Sequence, residues 1–99
     1  MTSNAQIRLL TLIECLAGHE VGGLTLTDIS RATGGITPST VLRDLESLRT
    51  AGWAFQIPGS KRWALGARPI QLLINFQSGL ARAKQRIGEV ESNYTRLPA

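Results

Sequence analysis

Between Gly35 and Gly66 the chain spells out a helix followed at once by a hairpin, and that order constrains the fold more than any other feature. Thr37-Pro38-Ser39 has the form of a helix start, with Thr37 as the cap and Pro38 at the first helical position, where its missing N–H costs nothing. Val41, Leu45 and Leu48, supported by Leu42, make one apolar stripe, and Gly52 is placed to end the helix. Ser39, Thr40, Arg43, Ser47 and Thr50 occupy the opposite, polar face. Trp53 to Ile57 and Arg62 to Leu65 read as two strands joined by a Pro58-Gly59-Ser60-Lys61 turn. Trp63 and Leu65 alternate inward, so the tryptophans are assigned to core packing, while Lys61 and Arg62 stand at or beside the hairpin tip.

Two helices precede this unit. Ser3 and Gln6 stand in a capping-box relation, and Ile7, Leu10, Ile13/Glu14 and Ala17 follow at helical spacing until Gly18. Cys15 lies in the same apolar stretch, among Leu9, Leu12, Ile13 and Leu16, and is read as a packing residue. After a turn-rich Glu20 to Gly23 loop, Leu24 to Leu26 is extended. Thr25 and Asp28 then start a short second helix that carries Leu26, Ile29 and Ala32 inward before Gly34-Gly35 stops it. Helix, short helix, helix and basic hairpin in that order are the elements of a winged helix-turn-helix.

From Pro69 the periodicity changes. Leu73, Phe76, Leu80, Ala83, Ile87, Val90, Tyr94 and Leu97 alternate at spacings of three and four, a heptad seam on one long helix that calls for a partner helix. Leu72, Leu73 and Phe76 are expected to pack on the chain's own core. Leu80, Ala83, Ile87, Val90 and Tyr94 are the candidate dimerisation residues. Gly79 and Gly88 weaken this helix by about 1 kcal/mol each relative to Ala.

Charge is unevenly distributed over the 99 residues. Residues 1–46 hold three basic and five acidic side chains, residues 47–88 hold seven basic and none acidic, and residues 89–99 hold one basic and two acidic. The positive central segment points to a polyanionic partner. One cysteine and one histidine exclude an internal disulfide and an all-protein zinc site, so no metal or cofactor is expected. His19 is read as a loop residue. No apolar run reaches membrane-spanning length, and Arg8 and Glu14 interrupt anything resembling a signal peptide, so a cytoplasmic location is expected. Catalysis is not expected: no carboxylate pair, Cys/His arrangement or phosphate-binding glycine loop has the needed spacing, and Gly22-Gly23 and Gly34-Gly35 look like turns.

Leu24 to Leu72 resembles the N-terminal DNA-binding domain of IclR-type bacterial transcriptional regulators. The resemblance rests on Leu24-Thr25-Leu26-Thr27-Asp28-Ile29 with Arg31-Ala32-Thr33-Gly34, then Pro38-Ser39-Thr40-Val41 with Arg43 and Leu45, then Gly52-Trp53, and finally Arg62-Trp63-Ala64-Leu65-Gly66. It implies that the third helix enters the major groove and the hairpin touches the backbone. Ser39, Thr40 and Arg43 would then face DNA, with Lys61 and Arg62 on the wing. The chain departs from the family pattern in three places. It stops about where the family continues into a ligand-binding domain, so no effector domain and no small-molecule effector are expected. Asp44 stands at a position usually apolar, with Leu42 beside Arg43 in place of a polar residue. Phe55 and Gln56 stand where the family often has basic residues.

The expected fold is therefore mostly α with a small β-hairpin wing: a winged helix-turn-helix over 1–68 and a long C-terminal dimerisation helix over 69–99. The expected function is sequence-specific binding of double-stranded DNA as a small homodimeric transcriptional regulator, with Thr37, Ser39, Thr40, Arg43, Ser47, Lys61 and Arg62 at the DNA. The alternative is a protein-interaction winged helix acting as an assembly or scaffold subunit.

Overall fold

The structure is a computed structural model that describes residues 4–96. Its elements are α1 (Asn4–Leu16), α2 (Leu26–Ala32), α3 (Pro38–Thr50), β1 (Ala54–Gln56), β2 (Trp63–Leu65) and α4 (Ala67–Thr95). The expected winged helix-turn-helix with a long C-terminal helix is present. Ser3, the expected cap of the first helix, and Leu97, the end of the heptad seam, lie outside the described residues.

Leu12 and Leu16 of α1, Ile29 of α2, Val41, Leu45 and Leu48 of α3, and Ala54 and Trp63 of the hairpin form one core. Burying a leucine, isoleucine or valine side chain contributes about 1.5–3 kcal/mol, so this three-helix contact is what holds the elements together. Trp63 is the largest side chain completely inside. The Arg49 guanidinium lies 5.2 Å from its ring centroid, while Trp53 is only partly buried against the same core.

Local chemistry sets the boundaries of the helices. The Thr25 hydroxyl accepts from the Asp28 N–H at 3.1 Å, and the Asp28 carboxylate accepts from the Thr25 N–H at 3.1 Å, a reciprocal capping box at the start of α2. At the end of α3, Gly52 takes φ +83°, which lets its N–H reach the Arg49 carbonyl at 3.0 Å and the Trp53 N–H reach the Leu48 carbonyl at 2.8 Å. That double bond is the Schellman stop that turns the chain into β1. β1 and β2 pair antiparallel with Phe55 opposite Ala64, and Leu24 exchanges two 2.8 Å backbone bonds with Trp63, adding a third extended piece to the wing.

Gly66 is required by packing. A Cβ there would stand 2.3 Å from the Gly52 carbonyl oxygen and 3.0 Å from the Ala54 nitrogen. The same Gly52 carbonyl accepts from the Arg68 N–H at 3.1 Å in the first turn of α4. This helix begins two residues before the expected Pro69, because proline is tolerated throughout the first turn, where no intrahelical donor is needed.

Several sequence expectations are corrected. The inward face of α1 is Leu12 and Leu16, flanked by Leu9, Ile13 and Cys15; Ile7 and Leu10, which fit the same helical spacing, are 50% and 60% exposed, and Ala17 is exposed. The helix carries two overlapping apolar stripes, and Arg8, one turn before Leu12, faces α3 to meet Asp44. Leu42 is exposed because it lies well off the Val41–Leu45–Leu48 line, and Ala32 is exposed at the very end of the seven-residue α2. Thr37 occupies the cap position of α3 without a side-chain capping bond.

The chain divides into two units after Pro69. The second holds α4 from Ile70 onward. None of its described residues is buried, including Leu72, Leu73 and Phe76, for which burial was expected. The heptad positions Leu80, Ile87, Val90 and Tyr94 are likewise exposed.

Candidate nucleic-acid interface

The stripe that seats Val41, Leu45 and Leu48 in the core turns Ser39, Arg43 and Ser47 of α3 to solvent. The Thr37 hydroxyl donates to the Thr40 hydroxyl at 2.9 Å instead of accepting from the helix, so the first-turn hydroxyls form a small polar group with Ser39 Oγ at 3.5 Å. With no side-chain oxygen capping it, the positive end of the α3 dipole lies beside hydroxyl donors, a combination suited to phosphate oxygens. Ser47 differs from the others: its hydroxyl donates to the Arg43 carbonyl at 3.3 Å, and the residue lines an apolar groove with Leu9, Leu10 and Ile13 of α1.

The wing presents its two cations differently. Lys61 is exposed and lines a recess of about 500 Å³ with Thr25, Leu26 and Thr27 of the α2 start, Leu42 of α3, and Gln56 and Trp63 of the hairpin. Arg62 turns back toward the body, donating to the Gly23 carbonyl at 3.4 Å and standing 4.0 Å from the Asp28 carboxylate. The Thr25 N–H and hydroxyl hold Asp28 below its ordinary carboxylate value, with Arg62 and Arg31 adding to the effect. Lys61 is thus the freer charge, whereas Arg62 also braces the wing. Sequence reasoning missed Thr27 and Gln56 as neighbours of Lys61. Gln56 is brought there by its pairing with Trp63 in the hairpin, and the start of α2 with Thr27 by the Leu24–Trp63 bridge.

Also missed was the partner of Asp44, which is 6% exposed on the inward side of α3. The Arg8 guanidinium grips it with two nitrogens: Nε meets Oδ2, and Nη2 donates to Oδ1 at 3.0 Å. Hydrogen bonding to Asp44 raises the Arg8 pKa above its ordinary value. A carboxylate on an apolar stripe demands a counter-charge, and that demand was the legible signal. Burial pushes the Cys15 thiol up, which keeps it protonated and consistent with packing. Among the described residues no cluster of three His, Cys, Asp or Glu is arranged to hold a metal, and no helix is long and apolar enough to cross a membrane.

Solved structures share this architecture. An IclR transcriptional regulator from Silicibacter sp. TM1040 is similar over 85% of this chain and 33% of its own, with TM-score 0.68 at 23% identity. Pseudomonas aeruginosa HmgR is similar over 74% of this chain and 29% of its own, with TM-score 0.65 at 19% identity. A mutant of S. aureus MepR is similar over 96% of this chain and 77% of its own, with TM-score 0.52 at 23% identity. The chain therefore spans about a third of the length of the first two. No curated protein matches the sequence. The sequence profile of the IclR helix-turn-helix domain matches residues 7–58, taking in most of α1 and all of α2, α3 and β1. The resemblance read from the motifs is borne out, and the chain belongs to the IclR helix-turn-helix domain family.

Proposed function

We propose that this chain is a homodimeric, sequence-specific binder of double-stranded DNA that regulates transcription in the cytoplasm by occupying its operator. Residues 1–68 form the reading unit and residues 69–99 join two copies. In this reading α3 enters the major groove, Arg43 reads a base edge, and Thr37, Ser39, Thr40 and Ser47 hold phosphates or neighbouring base edges. Lys61, seconded by Arg62, rests on the backbone. Leu80, Ala83, Ile87, Val90 and Tyr94 form the seam between copies.

The observation that carries this reading is the solvent-facing side of α3, where Arg43 projects one turn beyond a first turn rich in hydroxyls. The seven cations of residues 47–88, with no acidic side chain among them, supply the matching field. Binding of duplex DNA across a salt series tests it: a steep fall in affinity with salt is expected, and a flat response would favour the protein-assembly alternative.

Two substitutions separate reading from holding. Arg43→Ala should weaken binding to the selected site by about 1–3 kcal/mol while leaving random duplex nearly unchanged, because a bidentate arginine–guanine contact discriminates among bases. Equal losses on both duplexes would make Arg43 a phosphate contact. Lys61→Ala should weaken binding to all duplexes and lower the salt slope by about one charge. Arg62→Ala should lower that slope less, since its guanidinium already has the Gly23 carbonyl and Asp28 as partners.

A further inference from the structure

The α1 helix has two apolar stripes to choose from. Ile7, Leu10 and Ala17 lie on one side and Leu9, Leu12 and Leu16 on another, with Ile13 between them. Helical periodicity fits both, and the second is the larger, with three leucines and Cys15 beside them against Ile7, Leu10 and Ala17. In the structure the second stripe is buried, and the residue at its edge is Arg8, whose forked guanidinium holds the nearly buried Asp44 of α3. A bidentate arginine–carboxylate pair has one good geometry, so it fixes both the rotation of α1 about its axis and the seat of α3 against it.

Asp44 directly follows Arg43 in sequence. The carboxylate points inward and the arginine outward, so any turn of α3 that frees one moves the other. We propose that Arg8 and Asp44 are a positioning pair that selects the buried face of α1 and thereby aims Arg43 at the nucleic acid. The pair contributes specificity more than stability: ion pairs in such settings add little net folding energy over an apolar replacement, yet they fix one arrangement among several. The part of this inference that concerns DNA rests on the reading given under Proposed function.

The test uses Asp44→Leu, which replaces the carboxylate with an apolar side chain of similar size and leaves Arg8 without its partner. The second apolar stripe gives α1 a way to remain packed, so the domain is expected to stay folded by circular dichroism. Its ratio of affinities for selected and random duplex should fall at least tenfold, with the salt slope on random duplex unchanged. The exchanged pair Arg8→Asp with Asp44→Arg should recover most of that ratio. A second measurement needs no DNA. In a Cys15→Ala background, the thiol introduced by Leu10→Cys should react freely in the otherwise native chain and at least tenfold more slowly once Asp44→Leu is added, as α1 turns Leu10 inward. An unchanged thiol rate, or an undiminished affinity ratio in a chain that discriminates between duplexes, would overturn the positioning role. Failure of the native chain to discriminate between duplexes would instead sink the proposed function, and the thiol rates would still decide the fate of the pair. If Asp44→Leu does not fold, Asp44→Asn carries the same two measurements.

Discussion

Ile87→Asp is expected to convert the protein from dimer to monomer at micromolar concentration while the winged helix stays folded. Ile87 is 61% exposed on α4, and Val90, one turn on along the same seam, is 55% exposed. At 1.5 Å per residue a 29-residue helix is about 43 Å long. The apolar seam on it, from Leu73 to Tyr94, runs about 32 Å; an apolar line of that length in water is stabilised by a second helix, and an aspartate in it would require burial of an unpaired charge. Two linked half-sites bind far more tightly than two separate ones, so operator affinity should fall by about a hundredfold or more. Sedimentation of the unmodified chain as a monomer, or a dimer that survives the substitution, would refute the assembly.

The second large effect is on folding. Gly66→Ala should destabilise the winged helix by about 3 kcal/mol, because the added methyl meets the Gly52 carbonyl oxygen at 2.3 Å and backbone cannot step aside as a side chain can. Since a small domain has about 5–15 kcal/mol in all, the loss should show as a large drop in urea midpoint. Gly88→Ala is the contrasting case. Its Cβ would meet nothing within 4 Å, and replacing a mid-helix glycine should strengthen α4 by about 1 kcal/mol. Equal midpoints for the native chain and Gly66→Ala would show that the β2–α4 junction relaxes freely.

Much of the architecture was legible because its signals are local. Thr25 and Asp28 mark a helix start through bonds three residues apart, Gly52 marks a stop through its own dihedral, and the Pro58-Gly59 turn lies between strands it joins directly. The errors came where a choice depended on contacts distant in sequence. Ile7 and Leu10 satisfy helical spacing as well as Leu9 and Leu12 do, and the deciding partner, Asp44, lies 36 residues from Arg8. Thr37 looked like a cap because its residue type is right, but the hydroxyl found Thr40 instead. Arg62 and Lys61 are adjacent in sequence and were treated alike, yet only the position of Gly23 and Asp28 makes one a brace and leaves the other free. The candidate DNA-facing residues of α3 were legible for a simpler reason: whatever fills an apolar stripe fixes what lies opposite.

Both tryptophans of the chain fall in the winged helix, one sealed beneath Arg49 and the other half-covered at the end of α3, while the only aromatic groups of α4 are Phe76 and Tyr94. Light excited at 295 nm therefore reports on the first unit alone. Emission from Trp63 should shift to the red when that core opens, whereas ellipticity at 222 nm sums the helices of both units. Following the two signals through one denaturation would give each unit its own curve, and the gap between the curves would measure how far the long helix persists once the domain ahead of it is lost.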